Sequence, residues 1–291
     1  MKLVRYGEPG QERPGIWLDA TDHTAAQIVD VRGMVFDIQD YDARFWTYYG
    51  PDRLRALLKE PRLKTIPANG MRLGPPLARP GQLICLGKNY RDHAEEFDAT
   101  LPQKPIYFAK SPGSLIGSGD SIPVPPGADV RVDGEVELAV VMARRARHLT
   151  AENALDTIGG YTILNDVTRR EEQLVRSQWY FSKCADGFGP CGPWLVTPDE
   201  IPDPQHLPLA QRHNGHPLQM ASTAEMIFPL VDVLVELTHT LTLEPGDMIS
   251  TGTPGGIGSA HHPPVLYRDG DHIECEIGGI GILSNPVRTL V

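Results

Sequence analysis

Pro and Gly, 27 and 29 of them in 291 residues, break this chain into short apolar runs, and that punctuation limits what it can fold into. From "RLGPPLARPGQLICLGKNY" onward, Val/Ile-rich runs centre on residues 85, 107, 123, 140, 163, 195, 249 and 275, each bounded by turn formers. Such a rhythm predicts a mainly β domain with some α. Residues 1 to about 60 have a different texture: three strand-like runs, "KLVRYGE", "PGIWLDA" and "AQIVDVRG", then a helix near "GPDRLRALLKEP". The expected organisation is therefore a small N-terminal α+β domain over residues 1–75 and a larger domain over 76–291. Helical signals in the larger part are few: "NYRDHAEEF", "TAENALDTIGG" with Thr150 as its N-cap, and "STAEMIFPLVDVLVELTHTL".

Several classes drop out early. No run approaches the roughly 18 apolar residues of a membrane span, and no apolar stretch follows the first basic residues, so a cytoplasmic protein is expected. The net charge of −10, without a long Lys/Arg run, argues against a nucleic-acid partner. Cys85, Cys184, Cys191 and Cys275 form no CxxC pair, so reduced thiols are the default.

The chemistry concentrates in "RVDGEVELAVV", residues 131–141, which reads as a buried strand yet carries Glu135 and Glu137. In a strand, residues i and i+2 share a face about 6.5–7 Å apart, so the two carboxylates project together. Two like charges on an apolar strand need a cation, a shared proton or open water. "GGYTILNDVT" then supplies Asp166 where a strand gives way to a loop or helix, so three carboxylates can converge. An all-oxygen set of this kind suits a hard cation. A solvated sheet edge explains the same two glutamates, and spacing alone leaves both readings open.

The segments "GKNYRDHAEE", "FAKSPGSLIGSGD", "VDGEVELAVV", "GGYTILNDVT", "PWLVTPDEI", "LEPGDMISTGTPGGIG" and "GIGILSNPV" run in the order found in the fumarylacetoacetate hydrolase family, which the chain resembles from about residue 80 to its end. The resemblance implies a β-roll or distorted-barrel catalytic domain, a homodimer, and a divalent metal, with magnesium first and manganese or calcium as alternatives. Carried over by motif, the metal ligands fall on Glu135, Glu137 and Asp166. "NYRDHAEE" matches a lid helix bearing a His and Glu dyad, here His93 and Glu96, whose i, i+3 spacing puts both on one helical face. By the same resemblance Lys183 joins the catalytic group, while Tyr90, Lys110, Arg170, Gln173 and Thr253 face the substrate.

What the family implies is cleavage of a carbon–carbon bond in a small anionic oxo acid, a 2,4-dioxo acid of the acylpyruvate or diketo-deoxy sugar acid type. Water activated by His93 attacks the distal carbonyl, Lys183 and Gln173 stabilise the oxyanion, and the departing enolate is held by the metal. Lys88, Arg91, Lys110, Arg170 and Lys183 are expected to supply positive potential for an anionic substrate. The same site supports decarboxylation of oxaloacetate-like acids or isomerisation of hydroxymuconate-type acids, and a non-catalytic oxo-acid-binding protein is a third class. Three departures from the family pattern bear on substrate choice: Gly134 where many members carry an aromatic residue, the basic "TRREE", and Gly187 where Thr is common. Elsewhere, "RHNGHP" reads as a hairpin turn rather than a metal site, and no GxSxG or dinucleotide fingerprint occurs.

Overall fold

The computed structural model describes residues 1–96, 101–127 and 129–290. All eight of the runs named above lie in strands, because each pairs with a neighbour long enough to satisfy its backbone. The centre of the main sheet is strand Val136–Met142, antiparallel to Ile158–Asn165 on one side and to Met248–Ser250 on the other. Beyond Met248–Ser250 lie Leu83–Gly87, parallel to it, and Ile106–Ala109. Beyond Ile158–Asn165 the sheet continues through Gly189–Val196 to Lys2–Tyr6, Arg13–Leu18 and Gln27–Asp30, so the N-terminal strands extend the same sheet. A second sheet runs His216–Ser222, Pro208–His213, His272–Ile277, Gly281–Thr289 and Ile122–Val124.

Strand Val136–Met142 is buried on both faces, and its two-residue period sorts its side chains into two cores. Val136, Leu138, Val140 and Met142 face a core shared with Leu209, Ile273, Ile277, Leu283 and Val287 of the second sheet. Ala139 and Val141 face the opposite core, with Leu3, Ile16, Phe45, Trp46 and Leu54 from the N-terminal part and Leu83, Cys85 and Met248 from the catalytic part. Glu137 shares the parity of Ala139 and Val141, so it points to that second face at the strand's end.

The helices differ from expectation in ways that local chemistry explains. Helix Gly50–Leu57 forms as predicted. "NYRDHAEEF" gives the short helix Arg91–Glu95; Phe97, the last residue of that stretch, lies outside the described residues. "TAENALDTIGG" is not a helix: Asn153 Oδ1 accepts the Thr150 N–H at 2.9 Å, which closes a turn, and only a 3₁₀ turn, Leu155–Thr157, precedes the strand. In "STAEMIFPLVDVLVELTHTL" a capping box of Ser222 and Glu225 opens a single 3₁₀ turn, and Pro229 separates it from helix Leu230–Thr240. Proline has no N–H to continue the first helix and is well placed to start the second. Asn214 and Gly215, both at positive φ, turn the hairpin between Pro208–His213 and His216–Ser222, as "RHNGHP" suggested. All four cysteines are free. Among the described residues no helix is long and apolar enough to cross a membrane.

Candidate metal centre and active site

Two strands bring the acids together. Glu135 immediately precedes strand Val136–Met142, Glu137 lies within it, and Asp166 follows the last residue of Ile158–Asn165. Val136 pairs with Asn165, so the two strands deliver their carboxylates at one level. One carboxylate oxygen from each of Glu135, Glu137 and Asp166 lies within 4.8 Å of the others, and all three residues are buried.

Their surroundings are unequal. Burial pushes the Glu135 carboxyl up, but Lys183 and Arg170, with His93 beyond them, reverse this and hold it well below the usual carboxylate range. Lys183 Nζ donates to Glu135 at 2.9 Å and Arg170 to its other oxygen at 2.7 Å. Glu137 goes the other way: burial, then the charges of Asp166 and Glu135, push it well above its ordinary value, and the Ser250 hydroxyl that donates to it and the charge of Lys183 offset only part. Asp166 accepts from Lys110 at 2.7 Å and from Lys183 at 2.5 Å.

With Asp133, four buried carboxylates face three buried cations, Lys110, Arg170 and Lys183, a formal surplus of one negative charge when all are ionised. A divalent cation would turn that surplus into one positive charge, and the hard oxygen donors suit such an ion. Glu135, Glu137 and Asp166 therefore fit a divalent metal by donor type, spacing and charge.

A cavity of about 220 Å³ opens over this floor. It is lined by Glu135, Glu137, His93, Arg170, Gln173, Lys183 and Thr253, together with Lys88 and the carbon-rich residues Leu86, Gly87, Phe108, Leu174 and Trp179. His93 Nδ1 lies 3.1 Å from Glu96 Oε2, while the other oxygen of Glu96 accepts the N–H of Gly256. A carboxylate in that place makes Nδ1 the protonated nitrogen and leaves Nε2 as the acceptor. Helix Arg170–Val175 brings Arg170 and Gln173 together, with Arg170 donating to Gln173 Oε1 at 3.0 Å.

Several of these polar groups are already occupied. Lys183 Nζ has three acceptors, Glu135, Asp166 and Thr168. Burial lowers its proton affinity, and Asp166 and Glu135 more than restore it, so its pKa lies above the usual value. Arg170 is gripped by Asp133 at 2.6 Å as well as by Glu135. Thr253 donates to the Val136 carbonyl and accepts from Gln219, at 2.9 and 2.8 Å.

Two residues expected at the substrate lie elsewhere. Lys110 is behind Asp166, its ammonium held by that carboxylate and by the carbonyls of Val167 and Lys183. Tyr90 is extended, bridges to Met226 and turns into the core, which keeps it out of the cavity lining. Of the cations expected to attract an anion, Arg91 is exposed and outside the cavity lining.

Other residues escaped the sequence reading. Gln219, on the hairpin strand His216–Ser222, accepts the Val136 N–H between the two glutamates at 3.0 Å and donates to Thr253 and to the Pro254 carbonyl, both at 2.8 Å. Asn165 accepts the Glu135 N–H at 2.9 Å and donates to the Tyr267 hydroxyl at 3.3 Å. Asp133 accepts from Arg170 and from the Ser259 N–H. Asn165 and Asp133 flank acids that spacing had singled out; Gln219 lies far along the chain with no pattern to mark it.

Residues 82–288 match the family model for the C-terminal domain of fumarylacetoacetate hydrolase. A Burkholderia cenocepacia protein with only a general hydrolase name is 40% identical over 97% of this chain and 96% of its own. The crystal structure of a fumarylacetoacetate hydrolase from Exiguobacterium antarcticum superposes with a TM-score of 0.80 at 35% identity, covering 100% of both chains. Maleylpyruvate hydrolase from Sphingobium sp. SYK-6, in complex with manganese (II) and pyruvate, gives a TM-score of 0.80 at 26% identity over 99% of both chains.

Proposed function

This chain belongs to the fumarylacetoacetate hydrolase family, and from that premise we propose that it is a divalent-metal-dependent hydrolase that cleaves a carbon–carbon bond in 2,4-dioxo acids. The observation that carries the proposal is the meeting of a buried acidic triad and a His93–Glu96 pair at one cavity.

Glu135, Glu137 and Asp166 would hold the ion, and their hard oxygen donors suit magnesium or manganese. When bound, the ion supplies Lewis acidity for the carboxylate and 2-keto oxygens of the substrate. Glu96, itself fixed by the Gly256 N–H, orients His93 so that Nε2 can take a proton from water attacking the distal carbonyl. Arg170 occupies Gln173 Oε1, so the amide nitrogen of Gln173 is the end offered to the developing oxyanion. Lys183 holds the Glu135 carboxyl below the usual carboxylate range, and it can donate to the oxyanion only by releasing one of its three acceptors.

The test is release of pyruvate from acetylpyruvate with magnesium, with manganese and with chelator. We expect pyruvate and acetate in equal amounts, only with metal. His93→Ala should lower turnover by about 10²–10⁴-fold while leaving manganese affinity in place. Full turnover in that variant would remove His93 from the mechanism. Metal-dependent loss of oxaloacetate without cleavage of acetylpyruvate would replace hydrolysis by decarboxylation, a single isomeric product from a hydroxymuconate-type acid would replace it by isomerisation, and binding of oxo acids without turnover would make the protein a binder.

A further inference from the structure

The cavity lining combines two kinds of chemistry. Its floor is the ionic cluster just described. Beside that floor the lining carries a carbon-rich wall: Leu86, Phe108, Trp179 and Leu174. This wall is built into the fold. Trp179 lies so close over Gly87 that a Cβ there would sit 2.6 Å from the indole ring, and the indole meets Phe108 edge-on at 5.3 Å. Phe108 in turn lies 5.1 Å from Lys183 Nζ, so the aromatic wall begins where the floor ends. Leu174, although 71% exposed, also lines the cavity and stands at its mouth.

Among the described residues, polar groups able to answer a polar tail are scarce beside this wall. The hydroxyl of Thr253 both donates and accepts within the protein, and Arg170 and Lys183 are held by carboxylates. Among the described residues of the lining, that leaves His93 and the amide nitrogen of Gln173, both used above for the reaction, and Lys88, which has no hydrogen bond or ion pair there. A row of hydroxyls, or a second carboxylate, would lose its water against carbon and leave most of its hydrogen bonds unmade, whereas a hydrocarbon tail gains from the same burial.

We propose that the group distal to the metal-binding end of the substrate is apolar, an alkyl or aryl acyl chain seated on Leu86, Phe108, Trp179 and Leu174. Of the two substrate types implied by the sequence, this selects acylpyruvates over diketo-deoxy sugar acids. The assignment rests on the reading above that an oxo acid occupies the floor.

Three six-carbon 2-oxo acids without a 4-oxo group, and so not cleavable by this reaction, separate the two readings: 2-oxohexanoate, 2-oxoadipate, and a 3-deoxy-2-oxo sugar acid. Calorimetric titration of the manganese-loaded protein should find 2-oxohexanoate bound at least about tenfold more tightly than either polar ligand. Leu174→Ser, at an exposed position that keeps the fold, and Trp179→Ala should each narrow that ratio. Equal or tighter binding of 2-oxoadipate, abolished by Lys88→Ala, would overturn the proposal in favour of a dicarboxylate. Preference for the sugar acid, or no binding of any of the three, would overturn it as well. Acetylpyruvate cleavage scored on the same preparation reports on the reaction alone: if cleavage fails while the binding ratio holds, the hydrolase reading falls and the apolar wall stands.

Discussion

At Gly134 a Cβ would sit 2.1 Å from the Tyr267 hydroxyl and 2.3 Å from Asn165 Oδ1, so the space between Asp133 and Glu135 is already filled from across the fold. The phenol of Tyr267, from far along the chain, takes the room that a side chain at 134 would need. Gly187 is comparable, since its φ of 76° disfavours a side chain and a Cβ would meet Pro123 at 2.4 Å. We expect Gly134→Ala to cost about 1–3 kcal/mol through overpacking, read as a fall in denaturant midpoint. Adding Tyr267→Phe should recover part of the loss, because it removes one of the two clashing atoms. Equal stability of Gly134→Ala and the parent would mean that the Tyr267–Asn165 contact yields freely. The sequence displayed both glycines as departures, but what occupies their space comes from residues 123, 165 and 267, which adjacency along the chain does not reveal.

Among the elements, the strands were the most legible. Short runs between Pro and Gly gave eight strands at the positions expected, and the i, i+2 rule paired Glu137, within one of them, with Glu135, just before it. Helices were less so, because single residues decided them: Asn153 closes a turn where a helix was expected, and Pro229 divides another in two. The hairpin strand His216–Ser222 shows what sequence could not offer. Its Gln219 is fully buried and ties the backbone between the two glutamates to the Thr253–Pro254 turn. Gln219→Leu should therefore weaken manganese affinity by about 10–100-fold, the usual effect of losing a group that orients metal ligands, and lower stability by about 1–3 kcal/mol. A variant that loses stability yet keeps its metal affinity would confine Gln219 to packing.

For the whole molecule, an ion held by the cluster of four buried carboxylates and three buried cations would couple its binding to folding. An ion that binds only the folded chain adds about 2.7 kcal/mol at a hundred times its Kd. The thermal midpoint should accordingly rise with manganese or magnesium and fall back with chelator; a midpoint indifferent to both would deny the acids a resident metal. A second consequence follows from the sheet order, in which Leu3 lies opposite Leu195. During synthesis the strand Lys2–Tyr6 emerges long before its partner Gly189–Val196 exists. At roughly 5–20 residues per second the ribosome needs about 10–40 s to supply that partner, and for that time the Lys2 and Leu3 part of one edge of the N-terminal hairpin, beyond the part where Arg5 and Tyr6 pair with Gly74 and Leu73, stays open to any other strand. Solubility of the nascent chain in the cell thus depends on how that edge is shielded until residue 196 has been made.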